Sequence, residues 1–290
     1  MMMSTKLISI KSSLAVAKLG EDFRSKILLF AIKILNHIDH RRIFIRAMVV
    51  KIIKLFNPID EFIRISLRLN ASKVQIKLRF GDYSDYQSLG ECLGEMYEVE
   101  VEGIKYFIDG GANIGFFSLK MLLNNKIKMG LLIEPNQANL DLLRFNIQSI
   151  NHYTILPFAL SSKEGDLEFE LATSNTGHLS GSIGHPKSDK TVIVKSKSIM
   201  NVLPKEWPLD EVLLKLDIEG AEYEVIQDLI DNRLLPKIIL AEIHDYLREG
   251  GEKLVNKLIE VGYSVKIGGS GDSGNVCRQI SAILEKSKVY

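Results

Sequence analysis

The stretch Tyr106-Phe107-Ile108-Asp109-Gly110-Gly111-Ala112-Asn113-Ile114-Gly115 decides the fold that this sequence predicts. An apolar strand runs into a glycine turn, and a helical pattern follows from Phe116 to Leu123. Glycine is needed where the backbone takes unusual dihedral angles or where a ligand approaches closely. A strand that passes through such a turn into a helix is typical of a nucleotide-binding cradle at the carboxyl edge of a parallel sheet.

An acidic residue strengthens this interpretation. The next apolar strand, Leu131-Leu132-Ile133, ends at Glu134, nineteen residues after Gly115. An acid at about this distance binds the ribose hydroxyls in such sites. The turn does not match the glycine spacing of the dinucleotide fingerprint, and no Gly-Lys-Ser/Thr of a phosphate-binding loop follows it. The stretch therefore predicts an adenosine cofactor, and the patterns for a dinucleotide and for a phosphate-binding loop are both absent from it.

Two further groups of ionisable residues come directly after apolar strands. One is Asp217-Ile218-Glu219-Gly220-Ala221-Glu222, and the other is Glu242-Ile243-His244. Because the carboxyl ends of parallel strands meet at the same edge of a sheet, both groups are expected to face the crevice that contains Asp109. Their joint occurrence with the glycine turn favours a functional site.

Each of these residues also has an explanation that needs no function. The carboxylates of Glu219 and Glu222 favour a helix N-terminus electrostatically. Lys215 could extend along the edge of its strand with the ammonium group in water, and His244 could be an ordinary surface histidine. These explanations stay open for each residue taken singly.

The rest of the chain predicts parallel βαβ units, because short apolar strands alternate with helical stretches. Strands are expected at 73–80, 106–109, 130–134, 153–157, 167–171, 191–194, 211–216, 237–242, 263–267 and 279–285. Helices are expected at 26–35, 43–56, 88–97, 115–124, 137–149, 220–231 and 251–261, with a turn at 81–86. The polar loop from Thr173 to Asp189 is a candidate for reading the substrate, since loops often have such roles.

The N-terminal part of the chain is basic and apolar. Residues 1–57 hold eleven Lys/Arg against three Asp/Glu, a net charge of +8 in a chain whose total is +1. We expect residues 1–72 to form a helical extension and residues 73–290 to form the catalytic domain. Basic apolar helices bind anionic membrane surfaces or acidic partners. On a helical wheel, however, Lys51 lies roughly opposite Arg46, so packing on the catalytic domain or on a second subunit remains an alternative.

The compartment follows from the cysteines and the hydropathy. Cys92 and Cys277 are far apart and show no disulfide or zinc-site pattern, which favours a reduced, cytoplasmic setting. The start of the chain does not resemble a signal peptide, and no apolar run reaches the length of a membrane span. We expect a cytoplasmic protein. The alternative is a protein that contacts the cytoplasmic face of a membrane peripherally through residues 1–57.

The motifs occur together and in order along the chain: Asp109 to Gly115, Glu134-Pro135-Asn136, Ala159-Leu160-Ser161 before Gly165, Lys215-Leu216-Asp217-Ile218-Glu219-Gly220-Ala221-Glu222, and Glu242 with His244. This series resembles the FkbM-type methyltransferases over roughly residues 75 to 285. The resemblance implies an α/β fold with a Rossmann-like class I methyltransferase sheet, mostly parallel with one antiparallel strand. It also implies S-adenosyl-L-methionine as the methyl donor.

The resemblance assigns roles to individual residues. The methionine end of the cofactor would be lined by Asp109, Gly111, Asn113 and Gly115, its ribose would be held by Glu134, and Asn136 would lie near the adenine. Family members are similar to O-methyltransferases that act on a hydroxyl group of a sugar, a glycan or another natural product. A hydroxyl acceptor gains from a base that removes its proton. The candidates for this base are Asp217 and His244, while Glu219 and Glu242 would orient them or bind acceptor hydroxyls.

Three alternatives remain. A divalent ion held by Asp217, Glu242 and His244 could polarise the acceptor, although the main interpretation needs no metal. Nucleic-acid methylation is a second alternative, but the chain has no Pro-Pro motif of amino-group methylation and neither cysteine follows a proline. We therefore expect a small-molecule or glycan acceptor and no nucleic acid. The third alternative is a non-catalytic scaffold that docks through its N-terminal arm.

Overall fold

The computed structural model describes residues 13–37, 43–57, 61–93, 101–124, 126–170, 191–244, 250–268 and 278–285. The loop from Thr173 to Asp189, Cys277 and the predicted helical residues 94–97 lie outside these ranges. The chain forms two units. The first comprises Met1–Glu98, Ile114–Asn124 and Asp141–Asn151, and the second comprises Val99–Asn113, Asn125–Leu140 and His152–Tyr290.

The first unit combines helices with a β-hairpin. Its elements are α1 (Phe23–His37), α2 (Ile43–Phe56), β1 (Phe62–Leu69), β2 (Ser72–Arg79), α3 (Tyr83–Cys92) and α4 (Phe116–Leu122). The hairpin is antiparallel, with Ile65 opposite Ile76. Ile63, Ile65 and Leu67 of β1 are buried together with Val74, Ile76 and Leu78 of β2, because alternate side chains of a strand share one face. Helix α1 packs against α2, α3 and β1.

Two features of this unit differ from the sequence predictions. Residues 62–69 form a strand, whereas we predicted that the extension up to residue 72 is helical. Helix α3 begins at Tyr83, inside the predicted turn, because the Asp82 side chain accepts hydrogen bonds from the backbone N–H groups of Ser84 and Asp85. The predicted helix at 43–56 and the strand at 73–80 are confirmed, the latter as Ser72–Arg79.

The first unit also contains a cavity of about 410 Å³. It lies between α1, α2 and α3 and is lined in part by Lys33, Arg46, Tyr83 and Glu91. None of the residues that line this cavity is a predicted site residue.

The second unit is built on a seven-stranded sheet. Its strands are β3 (Tyr106–Gly110), β4 (Met129–Ile133), β5 (Tyr153–Leu156), β9 (Val212–Leu216), β10 (Ile238–Ile243), β11 (Tyr263–Gly268) and β12 (Arg278–Leu284). The order across the sheet is β11-β12-β10-β9-β3-β4-β5. Strand β12 runs antiparallel to both of its neighbours, and the pairs from β10 to β5 are parallel. The predicted Rossmann-like sheet with one antiparallel strand is confirmed.

A smaller sheet and several helices complete this part of the chain. The strands β6 (Ala159–Ser161), β7 (Gly165–Glu170) and β8 (Thr191–Ser198) form a three-stranded sheet in the order β6-β8-β7. The helices of the second unit are the short α6 (Ile199–Val202), α7 (Glu222–Asp231) and α8 (Gly251–Glu260). Helix α5 (Gln137–Ile147) begins in the second unit, and its residues from Asp141 onward belong to the first. Every residue of β9 is buried, which places this strand in the centre of the hydrophobic core. No helix within the described ranges is both long and apolar enough to cross a membrane.

Candidate active site at the carboxyl edge of the sheet

The predicted site residues follow four neighbouring strands at the same level. The register pairs Gly110 of β3 with Leu216 of β9 and with Ile133 of β4, and it pairs Leu216 with Ala241 of β10. The next residue on each strand is therefore a predicted site residue: Glu242, Asp217, Gly111 and Glu134 in order across the sheet. The structure thus brings the three sequence motifs to one edge.

The turn after β3 leaves no room for a side chain at Gly111. The φ angle of this residue is 75°, in the left-handed region that favours glycine. A Cβ atom here would lie 1.9 Å from the carbonyl oxygen of Asp217. The N–H groups of Gly111 and Ala112 both donate to the carbonyl oxygen of Ile133, at 3.0 and 2.9 Å. The glycine is therefore required to join β3, β4 and β9 at their ends.

Glu134 organises the backbone around the turn. Its Oε2 atom accepts a hydrogen bond from the N–H of Asn113 at 2.8 Å, and its Oε1 atom accepts one from the N–H of Asn136 at 2.9 Å. Asn139 donates to the same Oε1 atom through its side chain, at 3.3 Å. Burial raises the pKa of Glu134 to about 7, although these three donors lower it. This carboxyl group therefore titrates near neutral pH.

The two asparagines that donate backbone hydrogen bonds to Glu134 differ in the hydrogen bonding of their own side chains. Asn113 takes a positive φ of 50°, and its Oδ1 atom is buried with no hydrogen-bond partner within the described part of the chain. A buried acceptor without a donor is costly, so a bound donor would stabilise it. Asn136 instead uses its Oδ1 atom to accept from the N–H of Ala138, at the start of α5.

Gly115 belongs to the first unit, unlike the other predicted cofactor residues. It precedes α4 with a φ of 92°, and a Cβ atom there would lie 2.4 Å from the Cδ1 atom of Leu143. Its left-handed φ accounts for the glycine, since the end of the leucine side chain could move away from a Cβ atom.

Lys215 is the residue whose position the sequence analysis missed. It is 4% exposed, and its Nζ atom lies 3.1 Å from Oδ1 of Asp109, 3.6 Å from Oδ2 of Asp217 and 2.7 Å from the carbonyl oxygen of Gly111. The exposed position at the strand edge, which the sequence left open for Lys215, is not the one that this residue takes. Asp109 is completely buried, and one of its carboxylate oxygens contacts the ammonium group of Lys215.

The loop after β9 is held by Glu222. This fully buried carboxylate accepts hydrogen bonds from the N–H groups of Ile218 (2.8 Å) and Gly220 (2.9 Å). Its Oε1 atom also lies 3.1 Å from Nδ1 of His244, at the end of β10. Glu219, between the two N–H donors, has a positive φ of 57° and lies 3.4 Å from Nε2 of His244. Glu222 therefore does more than favour the start of α7, the explanation that the sequence left open for it, because it connects the loop to His244.

The protonation of His244 follows from these contacts. Burial by itself lowers the pKa of this imidazole, but the hydrogen bond and charge of Glu222, with the charges of Glu219 and Asp217, raise it to about 10. The imidazole therefore carries both protons at neutral pH and acts as a donor. A protonated imidazole cannot accept a further proton, so this arrangement favours Asp217 over His244 as the candidate base.

Glu219 has a pKa near neutrality for a different reason. Burial raises its pKa to about 7, and neighbouring carboxylates act in the same direction while His244 opposes them. Among the three carboxylates of the loop after β9, Asp217 is the most exposed, with 31% of its side chain accessible against 25% for Glu219 and none for Glu222. Asp217 is therefore the group best placed to meet a substrate.

The predicted metal ligands are only partly brought together. The ligand atoms of Asp217, Glu219 and His244 lie within 4.8 Å of one another, so Glu219 takes the place that we assigned to Glu242. Both nitrogens of His244 already contact carboxylates. Glu242 lies in β10 opposite Gln279 of β12 and is half-buried.

Comparisons with known proteins identify relatives of this arrangement. The model of a family described as the methyltransferase FkbM domain matches residues 109–265, more than half of the chain. The match contains the glycine turn, Glu134, the loop after β9 and His244. No curated protein matches the chain.

Among solved structures, the chain is similar to a methyltransferase FkbM from Methylobacillus flagellatus, with 12% sequence identity and a TM-score of 0.41. That match covers 96% of this chain, which spans 60% of the length of the other. A precorrin-6y C5,15-methyltransferase from Geobacter metallireducens has 16% identity and a TM-score of 0.35 over 62% of this chain and 80% of that one. A tRNA (uracil-54, C5)-methyltransferase from Pyrococcus abyssi, in complex with S-adenosyl-L-homocysteine, has 10% identity and a TM-score of 0.41 over 78% and 45%.

Proposed function

The chain belongs to the FkbM methyltransferase family, and from this premise we propose that it is an S-adenosyl-L-methionine-dependent O-methyltransferase. The acceptor we propose is a hydroxyl group of a sugar, a glycan or another natural product. One observation carries the proposal: the glycine turn, Glu134 and Asp217 follow adjacent parallel strands at the same level of the sheet. Open α/β sheets bind their ligands at this edge.

The residues around the turn fit the cofactor. The buried Oδ1 atom of Asn113 needs a donor, and the cofactor's ammonium and hydroxyl groups are donors. The carboxylate of Glu134 is an acceptor for ribose hydroxyls. When bound, S-adenosyl-L-methionine supplies a methyl group on a sulfonium centre. Asp109 contributes indirectly, because it holds Lys215 against the carbonyl oxygen of Gly111.

The acceptor side is formed by the loop after β9. We assign Asp217 as the base that accepts the proton of the acceptor hydroxyl, since its carboxylate is the most accessible of the three in the loop after β9. We assign His244 as a positioning residue, because the two nitrogens of its imidazolium hold the carboxylates of Glu219 and Glu222 in place. Glu219 and Glu242 are assigned to binding of acceptor hydroxyls.

Two measurements test the proposal in sequence. Titration calorimetry of the purified protein with S-adenosyl-L-methionine is expected to show binding. If no binding is measured, both the proposed cofactor and the proposed methyltransferase activity are contradicted. Transfer of a labelled methyl group to glycan and cell-envelope fractions then identifies the acceptor class. Transfer to RNA or DNA would instead support the nucleic-acid alternative.

The base is tested by a matched pair of variants. We expect Asp217→Asn to lower the turnover while the cofactor affinity changes little, since the amide cannot accept the proton. Asp210→Asn, at an exposed position before β9, is the control. Loss of turnover on addition of a chelator would favour the alternative in which a divalent ion polarises the acceptor.

A further inference from the structure

Helix α2 exposes a stripe of large apolar side chains. Phe44, Met48, Ile52 and Leu55 are 91%, 63%, 38% and 75% exposed. Their spacing places them on one side of the helix, because residues three or four apart are neighbours on its surface. Contiguous apolar patches of this kind mark interaction surfaces in soluble proteins. We call these four residues the α2 stripe.

The opposite side of α2 fixes how the helix is oriented within the first unit. Val49 and Ile53 are buried. Arg46 also turns inward, where its Nη1 atom donates to the carbonyl oxygen of Leu35 at 3.3 Å and its guanidinium lies 4.3 Å from the centre of the Tyr83 ring. The α2 stripe therefore faces outward because the other face is already packed.

Cations border the stripe. Lys51 and Lys54 are exposed and lie next to it on the helix surface, on the side of Phe44. The helix has no acidic residue between Ile43 and Phe56. Lys51 and Arg46 lie on different sides of the helical wheel. In the structure, Arg46 contacts residues of the first unit, whereas Lys51 is exposed.

We propose that the α2 stripe docks on an anionic lipid surface. An interfacial helix of this type inserts its apolar side chains at the boundary of headgroups and acyl chains while its lysines contact anionic headgroups. Phe23, which is exposed and packs edge-on against Phe56, extends the same apolar surface at the end of α2. Charge complementarity favours lipid over a second copy of the chain, because two α2 helices face to face would bring lysines together without acids to pair them.

The test uses the full-length protein and vesicles of two compositions. We expect it to float with vesicles of phosphatidylcholine mixed with phosphatidylglycerol, and much less with vesicles of phosphatidylcholine alone. The double variant Phe44→Asn/Leu55→Asn is expected to lower the partition coefficient about tenfold or more, because two exposed side chains lose their apolar contact. Lys51→Gln/Lys54→Gln is expected to lower it about fivefold per charge for the anionic vesicles only.

Two controls distinguish docking through the α2 stripe from non-specific binding of exposed apolar side chains to vesicles. Ile193→Asn and Ile259→Asn remove exposed apolar side chains elsewhere in the chain and should leave vesicle binding unchanged. Circular dichroism and cofactor titration show whether the α2 variants remain folded, since the substituted positions are exposed. The proposal is overturned if the protein does not bind anionic vesicles or if the α2 variants bind as well as the original. It is also overturned if the protein forms a dimer without lipid that Phe44→Asn/Leu55→Asn dissociates.

Discussion

The ammonium group of Lys215 lies 3.1 Å from the carboxylate of Asp109, and both side chains are buried at the ends of β9 and β3. These residues come from the two strands that form the centre of the sheet. The pair connects the glycine turn to the loop that contains Asp217, because Lys215 also contacts the carbonyl oxygen of Gly111. One side chain therefore joins the turn proposed to bind the cofactor to the loop proposed to bind the acceptor.

Removal of one partner of this ion pair should be strongly destabilising. Lys215→Met leaves the buried carboxylate of Asp109 without its counter-charge, which costs about 3–5 kcal/mol in the free energy of unfolding. Urea denaturation measures the change. Lys195→Met, which breaks an exposed pair with Asp166, is the control and should have little effect. A further Asp109→Asn substitution should recover part of the loss, and full additivity of the two changes would argue against the pairing.

The glycine turn can be tested with two alanine substitutions that share a backbone conformation. Gly111 and Gly103 have φ angles of 75° and 79°, but only at Gly111 does a new Cβ atom meet another residue. Gly103→Ala should cost about 1–2 kcal/mol for the left-handed conformation alone. We expect Gly111→Ala to cost clearly more and to abolish cofactor binding, because the end of β9 must move. Equal effects in thermal unfolding and calorimetry would refute the steric argument.

The affinity for the cofactor should depend on pH through Glu134. Burial raises the pKa of this carboxyl group to about 7, so it becomes ionised as the pH rises through neutrality. An ionised carboxylate is the better acceptor for ribose hydroxyls, and calorimetry should show tighter binding at pH 8 than at pH 6. Glu134→Gln is expected to weaken binding about tenfold and to remove this trend. Glu168→Gln, at an exposed position of β7, should leave the cofactor affinity and its pH dependence unchanged.

The stability of the protein should fall as the pH rises from about 7 to 10. The carboxylates around His244 raise its pKa to about 10 from the ordinary value of 6.5, despite the opposing effect of burial. A raised pKa in the folded state stabilises the protein fully below pH 6.5, and the contribution is lost as the pH approaches 10. Chemical denaturation across this interval measures the fall. It should be smaller in His244→Gln and unchanged in His152→Gln, and an identical slope in all three proteins would disprove the assignment.

The sheet was largely predictable because its signals are local. The central strands are short apolar runs with an ionisable residue at or next to their carboxyl ends, and their alternation with helices predicts parallel pairing. Strand β1 was missed although Ile63, Ile65 and Leu67 alternate with polar residues, since the preceding basic helices suggested that the helical pattern continues. The start of α3 was missed because the cap depends on one side chain, Asp82.

The electrostatics of the site could not be predicted in the same way. Asp109 and Lys215 are 106 positions apart, and only the fold shows that they form a buried pair. The protonation of His244 depends on Glu222, whose carboxylate is positioned by two backbone N–H groups of its own loop. Glu219 takes a left-handed conformation without being a glycine, so its identity gives no signal of the turn.

The antiparallel strand has a consequence for synthesis on the ribosome. Strand β12 follows β11 in the chain but inserts between β11 and β10. While translation has reached only Gly268, β11 has no neighbour to pair with, and the edge of β10 that β12 later covers is open. The emerging chain therefore exposes two unpaired strand edges until residues 278–284 leave the exit tunnel. Unpaired strand edges favour aggregation, so the nascent chain is expected to be prone to aggregate until β12 pairs.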